Sequence, residues 1–122
     1  MTTTKKDLLI GIVGPCSSGK STLAAGLKTH KIRARNIAQE HSHVKDMWKR
    51  LTNPDLLIFL QVSYPVAQIR RKLNWNIADY EEQGHRLRYA RIKADYFLDT
   101  DLLTPEEVLK EILHFIEEIT HA

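Results

Sequence analysis

A glycine-rich octapeptide constrains the fold of this chain more than any other feature. Residues 14–21 read G-P-C-S-S-G-K-S, which fits the spacing G-x-x-x-x-G-K-S. The apolar run L-L-I-G-I-V directly before it, at residues 8–13, is typical of a buried strand. The run T-L-A-A-G-L directly after it, at residues 22–27, predicts a helix. A strand, a glycine-rich turn and a helix in this order predict an α/β fold.

The residue types of the octapeptide suit a polyphosphate ligand. Gly14 and Gly19 permit backbone angles that other residues avoid, and they let the main chain approach oxygen atoms closely. Backbone N–H groups at the start of the helix then form an anion-binding nest, which the helix dipole reinforces. Lys20 offers a charge to the β- and γ-phosphates, and Ser21 offers a hydroxyl oxygen to Mg²⁺.

The octapeptide and its context therefore predict a phosphate-binding P-loop that holds ATP and Mg²⁺. The guanine-reading string N-K-x-D is absent, which favours ATP over GTP. The expected nucleotide-binding residues are Gly14, Pro15, Cys16, Ser17, Ser18, Gly19, Lys20, Ser21 and Thr22. The expected metal ligand among them is Ser21.

Length and composition restrict the other function classes. The 122 residues predict a single P-loop nucleotide-binding domain over residues 1–122. The longest apolar runs, such as residues 56–60, have the length of strands, so we expect no membrane span. A single cysteine cannot form an internal disulfide, and the start of the chain has no signal-peptide pattern. Both observations favour the cytoplasm.

The net charge of +3 is unevenly distributed along the chain. Residues 99–122 hold seven acidic side chains and one lysine, so residues 1–98 carry the positive excess. Such an excess can attract nucleic acid, but no basic motif interleaved with aromatic residues is present. We therefore assign the positive charge to a nucleotide pocket and to solvated helix faces, and we expect no nucleic-acid partner.

Seven further segments complete the expected fold. Apolar runs predict strands at residues 8–13, 31–38, 56–62 and 94–98. Helical spacing predicts helices at residues 22–30 and 44–51, from Pro65, and at 77–93 with an interruption at Gly84. A capping box at residues 104–107 predicts the start of a last helix. This alternation predicts a three-layer α/β/α P-loop NTPase fold with a small, mainly parallel sheet of about four strands. The ligand should lie at the carboxyl ends of the strands.

Beyond the P-loop, the chain resembles the small P-loop kinases, which include nucleoside, nucleoside monophosphate and dephospho-coenzyme A kinases. The resemblance rests on N-P-D-L-L-I-F-L-Q-V-S at residues 53–63, on the helix at residues 65–71 and on A-D-Y-F-L-D-T at residues 94–100. It implies a phosphotransferase that moves the γ-phosphoryl group of ATP to a small-molecule or nucleotide acceptor. The loop at residues 99–101 matches the family's base-contacting loop, which acts mostly through its backbone.

The resemblance also implies roles for charged side chains outside the P-loop. Glu40 follows the second expected strand, where these kinases often carry a catalytic base or a ligand of Mg²⁺-bound water; the alternative is a solvated loop acid. Arg70 and Arg71 match the lid-side arginines best, and Arg86 and Arg88 come next. Such arginines stabilise the transferring phosphoryl group, whereas ordinary surface arginines are the alternative. The expected catalytic residues are thus Lys20, Glu40, Arg70 and Arg71.

Several departures from the kinase pattern keep a second function open. No additional strand ending in a Walker B acid is evident, Gln61 stands where the family often has Asp, and the acceptor-binding insertion is missing. The second hypothesis is therefore a nucleotide-binding module or a slow NTPase without kinase activity. A second copy of this chain could complete the site, because a small sheet leaves one edge thinly covered.

Three other groups of side chains have a functional and a structural interpretation each. Cys16 within the P-loop is either a reactive thiol or a small packing residue, and the second is favoured. His41 and His43 could ligate a metal, but no third ligand is evident at this spacing. Trp75 and Tyr80 either cover the pocket or pack in the core or at its rim, and packing is favoured.

Overall fold

Four parallel strands and four α-helices form the part of the chain that the structure describes. The computed structural model describes residues 8–71 and 74–120. The strands are β1 (Leu9–Val13), β2 (Arg33–Asn36), β3 (Leu56–Gln61) and β4 (Tyr96–Asp99). The helices are α1 (Lys20–Thr29), α2 (Tyr64–Arg70), α3 (Ile77–Lys93) and α4 (Pro105–Thr120). A 3₁₀ turn spans Gln39–His41 and a π-helical turn spans Trp48–Thr52.

The strands form one sheet in the order β2-β1-β3-β4, and all three pairings are parallel. The two central strands carry the longest buried runs, because both of their faces are covered. In the register, Ile12 lies opposite Asn36 on one side and opposite Ile58 on the other. The expected mixed α/β fold with a small parallel sheet of four strands is confirmed.

Helices cover both faces of this sheet. On one face, Ile10, Ile12, Ile58 and Leu60 pack with buried residues of α1 and α4. On the opposite face, Leu57 and Phe59 pack with Leu87 and Ala90 of α3. Side chains alternate along β3 with the two-residue period of a strand, so successive residues pack on opposite faces of the sheet.

The order of the strands creates a crevice at one end of the sheet. From β1 the chain moves to β2 on one side, and then returns to β3 on the other side of β1. At such a reversal the connections leave in opposite directions, and the carboxyl ends of the central strands stay open to a ligand. The glycine-rich loop (residues 14–19) begins at this point.

Several expected elements differ from the observed ones. The expected helix at residues 44–51 is wrong, because the structure has only the π-helical turn, with Trp48 buried but Leu51 78% exposed. The expected interruption of α3 at Gly84 is also wrong, since the helix continues through this exposed position. The expected second strand is shortened to four residues. The helix expected from Pro65 also carries Leu73 at helical spacing with Val66 and Ile69, but Leu73 lies outside the described residues.

The last helix begins as its sequence predicts. Thr104 Oγ1 accepts a hydrogen bond from the backbone N–H of Glu107, and Glu107 Oε1 accepts one from the N–H of Thr104. This reciprocal capping satisfies two N–H groups that the helix itself leaves without acceptors. Neither α4 nor any other described helix is both long and apolar enough to cross a membrane.

Candidate functional site

The glycine-rich loop leaves β1 through an unusual backbone conformation. Gly14, Ser17 and Gly19 all have positive φ angles, of 154°, 69° and 102°. A Cβ atom at Gly14 would lie 2.1 Å from the backbone oxygen of Leu60, so only glycine fits between β1 and the end of β3. The loop therefore curls tightly over the carboxyl ends of the two central strands.

The helix that follows the loop begins without a side-chain cap. Gly19 is its N-cap residue, no side chain accepts from its first N–H groups, and its first turn contains no acidic residue. The first N–H groups of a helix need external acceptors and form the positive end of its dipole. In addition, Ser17 Oγ and Ser18 Oγ are buried without a hydrogen-bond partner among the described residues. The loop thus offers several donors to an anion.

Lys20 lies beneath the loop rather than in solvent. Its side chain is 7% exposed, and its Nζ donates to the backbone oxygens of Gly14 and Pro15 at 2.8 and 3.0 Å. A third hydrogen bond, of 2.8 Å, reaches Glu40 Oε2. The ammonium group therefore fixes the curl of the loop and neutralises a buried carboxylate at the same time.

Glu40 reaches this position from the 3₁₀ turn after β2. Its side chain is 5% exposed, and its second oxygen, Oε1, has no hydrogen-bond partner among the described residues. The structure thus brings Glu40 beside the glycine-rich loop and does not leave it as a solvated loop acid. A buried carboxylate with an unused oxygen is able to accept a proton or to hold a cation.

The start of α1 also contacts the end of β2. Asn36 Nδ2 donates to Ser21 Oγ at 2.7 Å, and both residues are exposed to the crevice side of the molecule. Thr22 is likewise exposed. The sequence analysis did not identify Asn36, although its place as the last residue of β2 is the signal that could have revealed it.

A second polar contact links the loop to the end of β4. Thr100 is 1% exposed, and its Oγ1 lies within hydrogen-bonding distance of the Ser18 and Gln61 backbone oxygens, at 3.0 and 3.1 Å. Arg70 of α2 donates to Thr100 Oγ1 at 2.9 Å, to the Thr100 backbone oxygen, and to the Ser17 backbone oxygen at 3.2 Å. Thr100 therefore holds the loop, a role for its side chain that the sequence analysis did not anticipate.

A cavity of about 620 Å³ lies beside these contacts. Its lining includes residues 16–22 together with Asn36, Glu40, Arg70 and Arg71, so most of the expected binding and catalytic residues share one cavity. Gly14 and Pro15, the first two residues of the loop, do not line it. Apolar side chains, among them Leu103, Pro105 and Val108, line it as well.

The charge of the cavity wall favours an anion. Among the described residues, three cationic side chains, those of Lys20, Arg70 and Arg71, line it against one carboxylate, that of Glu40. Oriented donors and net positive charge in a partly enclosed cavity raise the local concentration of anions.

The remaining expected residues lie elsewhere. Arg88 is exposed and donates to the backbone oxygen of His85, whereas Arg86 pairs with Glu82 at 3.2 Å and reaches the backbone oxygen of Glu40 at 3.5 Å. Neither lines the cavity.

Trp75 and Tyr80 also stay outside the cavity. Trp75 stacks on Tyr64, whereas Tyr80 meets Tyr64 edge-on, each with a centroid separation of 5.9 Å. Tyr80 donates its hydroxyl to the Val62 backbone oxygen at 2.6 Å and accepts a hydrogen bond from Gln61. Burial raises the pKa of Tyr80, and the nearby carboxylate of Asp101 raises that pKa further.

Cys16 is held at the rim of the loop by α3 and by the 3₁₀ turn. Gln83 accepts a hydrogen bond from the Cys16 backbone N–H at 3.0 Å and donates to its Sγ at 3.2 Å. The same sulfur lies 3.7 Å from His41 Nε2. His43 faces Arg86 instead, at 3.5 Å, so the two histidines do not converge on one point.

Comparison with known proteins adds no family assignment. No protein-family model matches this chain, and no curated protein matches it.

Proposed function

We propose that this protein binds ATP with Mg²⁺, and that the glycine-rich loop and the start of α1 hold the phosphate groups. The observation that carries the proposal is the uncapped start of α1 behind a tightly curled loop, with the Lys20 ammonium buried beneath it. Uncapped N–H groups and a lysine together supply donors of the kind that a polyphosphate requires.

The metal that accompanies the nucleotide has suitable ligands at the same place. Ser21 Oγ is exposed at the start of α1 and is held by Asn36, so a hydroxyl oxygen is oriented toward the crevice. Mg²⁺ prefers oxygen ligands and keeps several waters, and Glu40 would hold one of those waters. When bound, the metal neutralises charge on the phosphate oxygens.

The nucleoside would lie against the apolar side chains of the cavity. Leu103 and Pro105 line the cavity and follow the loop at residues 99–101 in the chain. Their side chains offer a surface to a flat ring, whereas the backbone of the neighbouring loop offers hydrogen-bonding groups. A lining that combines polar and apolar side chains supports a nucleotide over a simple oxyanion.

The arrangement further supports a phosphotransferase. Glu40 lies at the loop with one oxygen free among the described contacts, so it could accept the proton of an attacking hydroxyl. Arg70 and Arg71 line the same cavity and could stabilise negative charge on a transferring phosphoryl group. These are the roles that the resemblance to small P-loop kinases implies for the three residues.

One observation favours the second candidate function, a nucleotide-binding module or slow NTPase. Gln61, at the end of β3, donates to the Tyr80 hydroxyl at 2.9 Å and so faces α3. It supplies no carboxylate to the metal side of the loop. Within the described residues, Glu40 is the only carboxylate that lines the cavity.

An acceptor-dependent assay separates the two functions. Purified protein with ATP and Mg²⁺ is incubated with nucleosides, nucleotides and small hydroxylated metabolites, and ADP release is measured for each. A kinase releases ADP faster with one acceptor class, and Glu40→Gln removes that increase while Glu81→Gln, an exposed acid on α3, keeps it. Binding of ATP without any acceptor dependence supports the binding module. Absence of ATP binding by the folded protein contradicts both.

A further inference from the structure

We propose that Cys16, Glu40 and His41 form a binding site for Zn²⁺ or a similar borderline-soft divalent cation. The thiol, a carboxylate oxygen and the imidazole nitrogen all lie within 4.8 Å of one another. The sulfur comes from the glycine-rich loop, whereas the other two ligands come from the 3₁₀ turn after β2. The sequence analysis considered His41 with His43, but the fold pairs His41 with a cysteine 25 residues earlier.

The distance between the sulfur and the imidazole nitrogen is close to that at a tetrahedral ion. Zn–S and Zn–N bonds of about 2.3 and 2.0 Å at a tetrahedral angle separate sulfur from nitrogen by about 3.5 Å. Cys16 Sγ and His41 Nε2 lie 3.7 Å apart, and His41 Nε2 lies 3.9 Å from Glu40 Oε2. This oxygen is the one that Lys20 holds, so the carboxylate must rotate to offer Oε1 to the ion, and a water would take the fourth position.

An independent observation points to a ligand at this place. Glu40 Oε1 is buried and has no hydrogen-bond partner among the described residues, although a buried oxygen without a partner is unfavourable. Lys20 satisfies only the other oxygen of the same carboxylate. A cation that takes Oε1 as its ligand removes this deficit.

The surroundings of the thiol also suit a metal ligand. Gln83 is 8% exposed and holds Cys16 through both ends of its amide, with the NH₂ group directed at the sulfur. Such outer contacts orient metal ligands in proteins. On binding, the thiol proton passes to solvent and the thiolate forms the bond to the metal.

The proposed ion differs from the Mg²⁺ that accompanies a nucleotide. Sulfur and imidazole nitrogen select Zn²⁺ over Mg²⁺, which prefers oxygen ligands alone. Zn²⁺ also competes with Lys20 for the charge of Glu40. Lys20 keeps its two backbone acceptors, Gly14 and Pro15, when that pair opens.

A cobalt titration without nucleotide tests the site separately from the proposed function. Co²⁺ substitutes for Zn²⁺ and gives a thiolate-to-metal charge-transfer absorption band that magnesium cannot produce. We expect this band at one Co²⁺ per chain, its loss in Cys16→Ser, at least about tenfold weaker binding in His41→Ala, and no change in the matched control His43→Ala. Added Zn²⁺ removes the band, whereas excess Mg²⁺ leaves it.

Protection of the thiol gives a second readout on the unaltered protein. Cys16 is the only cysteine of the chain, so the rate of alkylation reports on this residue alone. Zn²⁺ slows the reaction severalfold, and Mg²⁺ does not. The proposal is overturned when the folded wild-type protein gives no charge-transfer band and no Zn²⁺ protection, or when His43→Ala weakens binding as much as His41→Ala.

Discussion

Lys20 Nζ lies 2.8 Å from Glu40 Oε2, and both side chains are more than nine-tenths buried. A buried ion pair of this kind is weak evidence for stability, because desolvation offsets much of the attraction. Loss of one partner is far more costly, since the other charge stays buried without compensation. The stability of the glycine-rich loop therefore depends on the charge of the ligand that occupies the cavity.

The first prediction concerns the neutral variant Glu40→Gln. It leaves the Lys20 ammonium without a counter-charge, so we expect a loss of roughly 3 kcal/mol in the free energy of unfolding. Saturating tripolyphosphate should recover more stability in this variant than in the wild type, because the anion replaces the lost charge and binds only the folded state. Urea unfolding with and without tripolyphosphate measures both effects.

Glu81→Gln is the control for this experiment, since Glu81 is exposed on α3. It should leave both the unfolding free energy and the response to tripolyphosphate close to those of the wild type. Equal stability of Glu40→Gln and Glu81→Gln would contradict the role assigned to the ion pair.

The second prediction concerns Thr100, which joins the end of β4 to the glycine-rich loop. Thr100→Val keeps the shape but removes the hydroxyl near the Ser18 and Gln61 backbone oxygens, so roughly 1–3 kcal/mol of stability should be lost. ATP affinity should fall as well, because the loop loses a support. Thr100→Ser, which retains the hydroxyl, should keep most of the stability and most of the ATP affinity. If the valine and serine variants unfold and bind alike, the hydroxyl does not hold the loop.

The third prediction concerns Gln83, which holds the backbone of Cys16 from α3. In Gln83→Leu the Cys16 N–H loses its acceptor, and its amide hydrogen should exchange with solvent faster by at least about tenfold. Gln68→Leu is the control, because Gln68 bonds to the Tyr64 hydroxyl and the Trp75 backbone oxygen rather than to the loop. Hydrogen exchange followed by NMR measures the rate. Unchanged exchange at Cys16 in Gln83→Leu is the opposing result.

The fourth prediction concerns alkaline pH. Burial raises the pKa of Tyr80 above its ordinary value of about 10. At a pH between the pKa of the unfolded chain, about 10, and the higher pKa of the folded chain, the phenol loses its proton only in the unfolded chain. The free energy of unfolding therefore declines as the pH rises through this range. This contribution is fully present below about pH 10 and is lost through the folded-state pKa.

Tyr80→Phe should therefore flatten the decline in stability above about pH 10, apart from a constant loss due to its missing hydrogen bonds. Urea unfolding at a series of pH values gives the two slopes. Equal slopes for wild type and Tyr80→Phe would show that the phenol does not contribute.

Much of the fold could be predicted from local patterns. The strand, loop and helix around residues 8–27 follow from one glycine spacing and two apolar runs, and the capping box of α4 follows from residues 104–107. The position of Glu40 also follows, because the carboxyl ends of parallel strands meet at one edge of the sheet. These features depend on neighbours in the sequence or on the direction of the strands alone.

Other features depend on contacts between distant segments and leave no local pattern. Thr100 contacts a loop residue 82 positions earlier, and Gln83 contacts one 67 positions earlier. The expected helix at 44–51 failed because only Trp48 finds a place in the core, whereas Leu51 has none. Periodicity in a short segment cannot show which apolar side chain the core accepts.

Calorimetric titration with ATP and Mg²⁺ tests the central claim most directly. The wild type and Lys28→Ala, which removes an exposed lysine from the same helix, should bind one nucleotide per chain with similar affinity. Lys20→Ala should bind at least about a hundredfold more weakly, because a charge-assisted contact to the phosphates is worth about 3 kcal/mol. Circular dichroism confirms that each variant is folded. Absence of binding by the folded wild type, or equal affinities for all three proteins, would contradict the account.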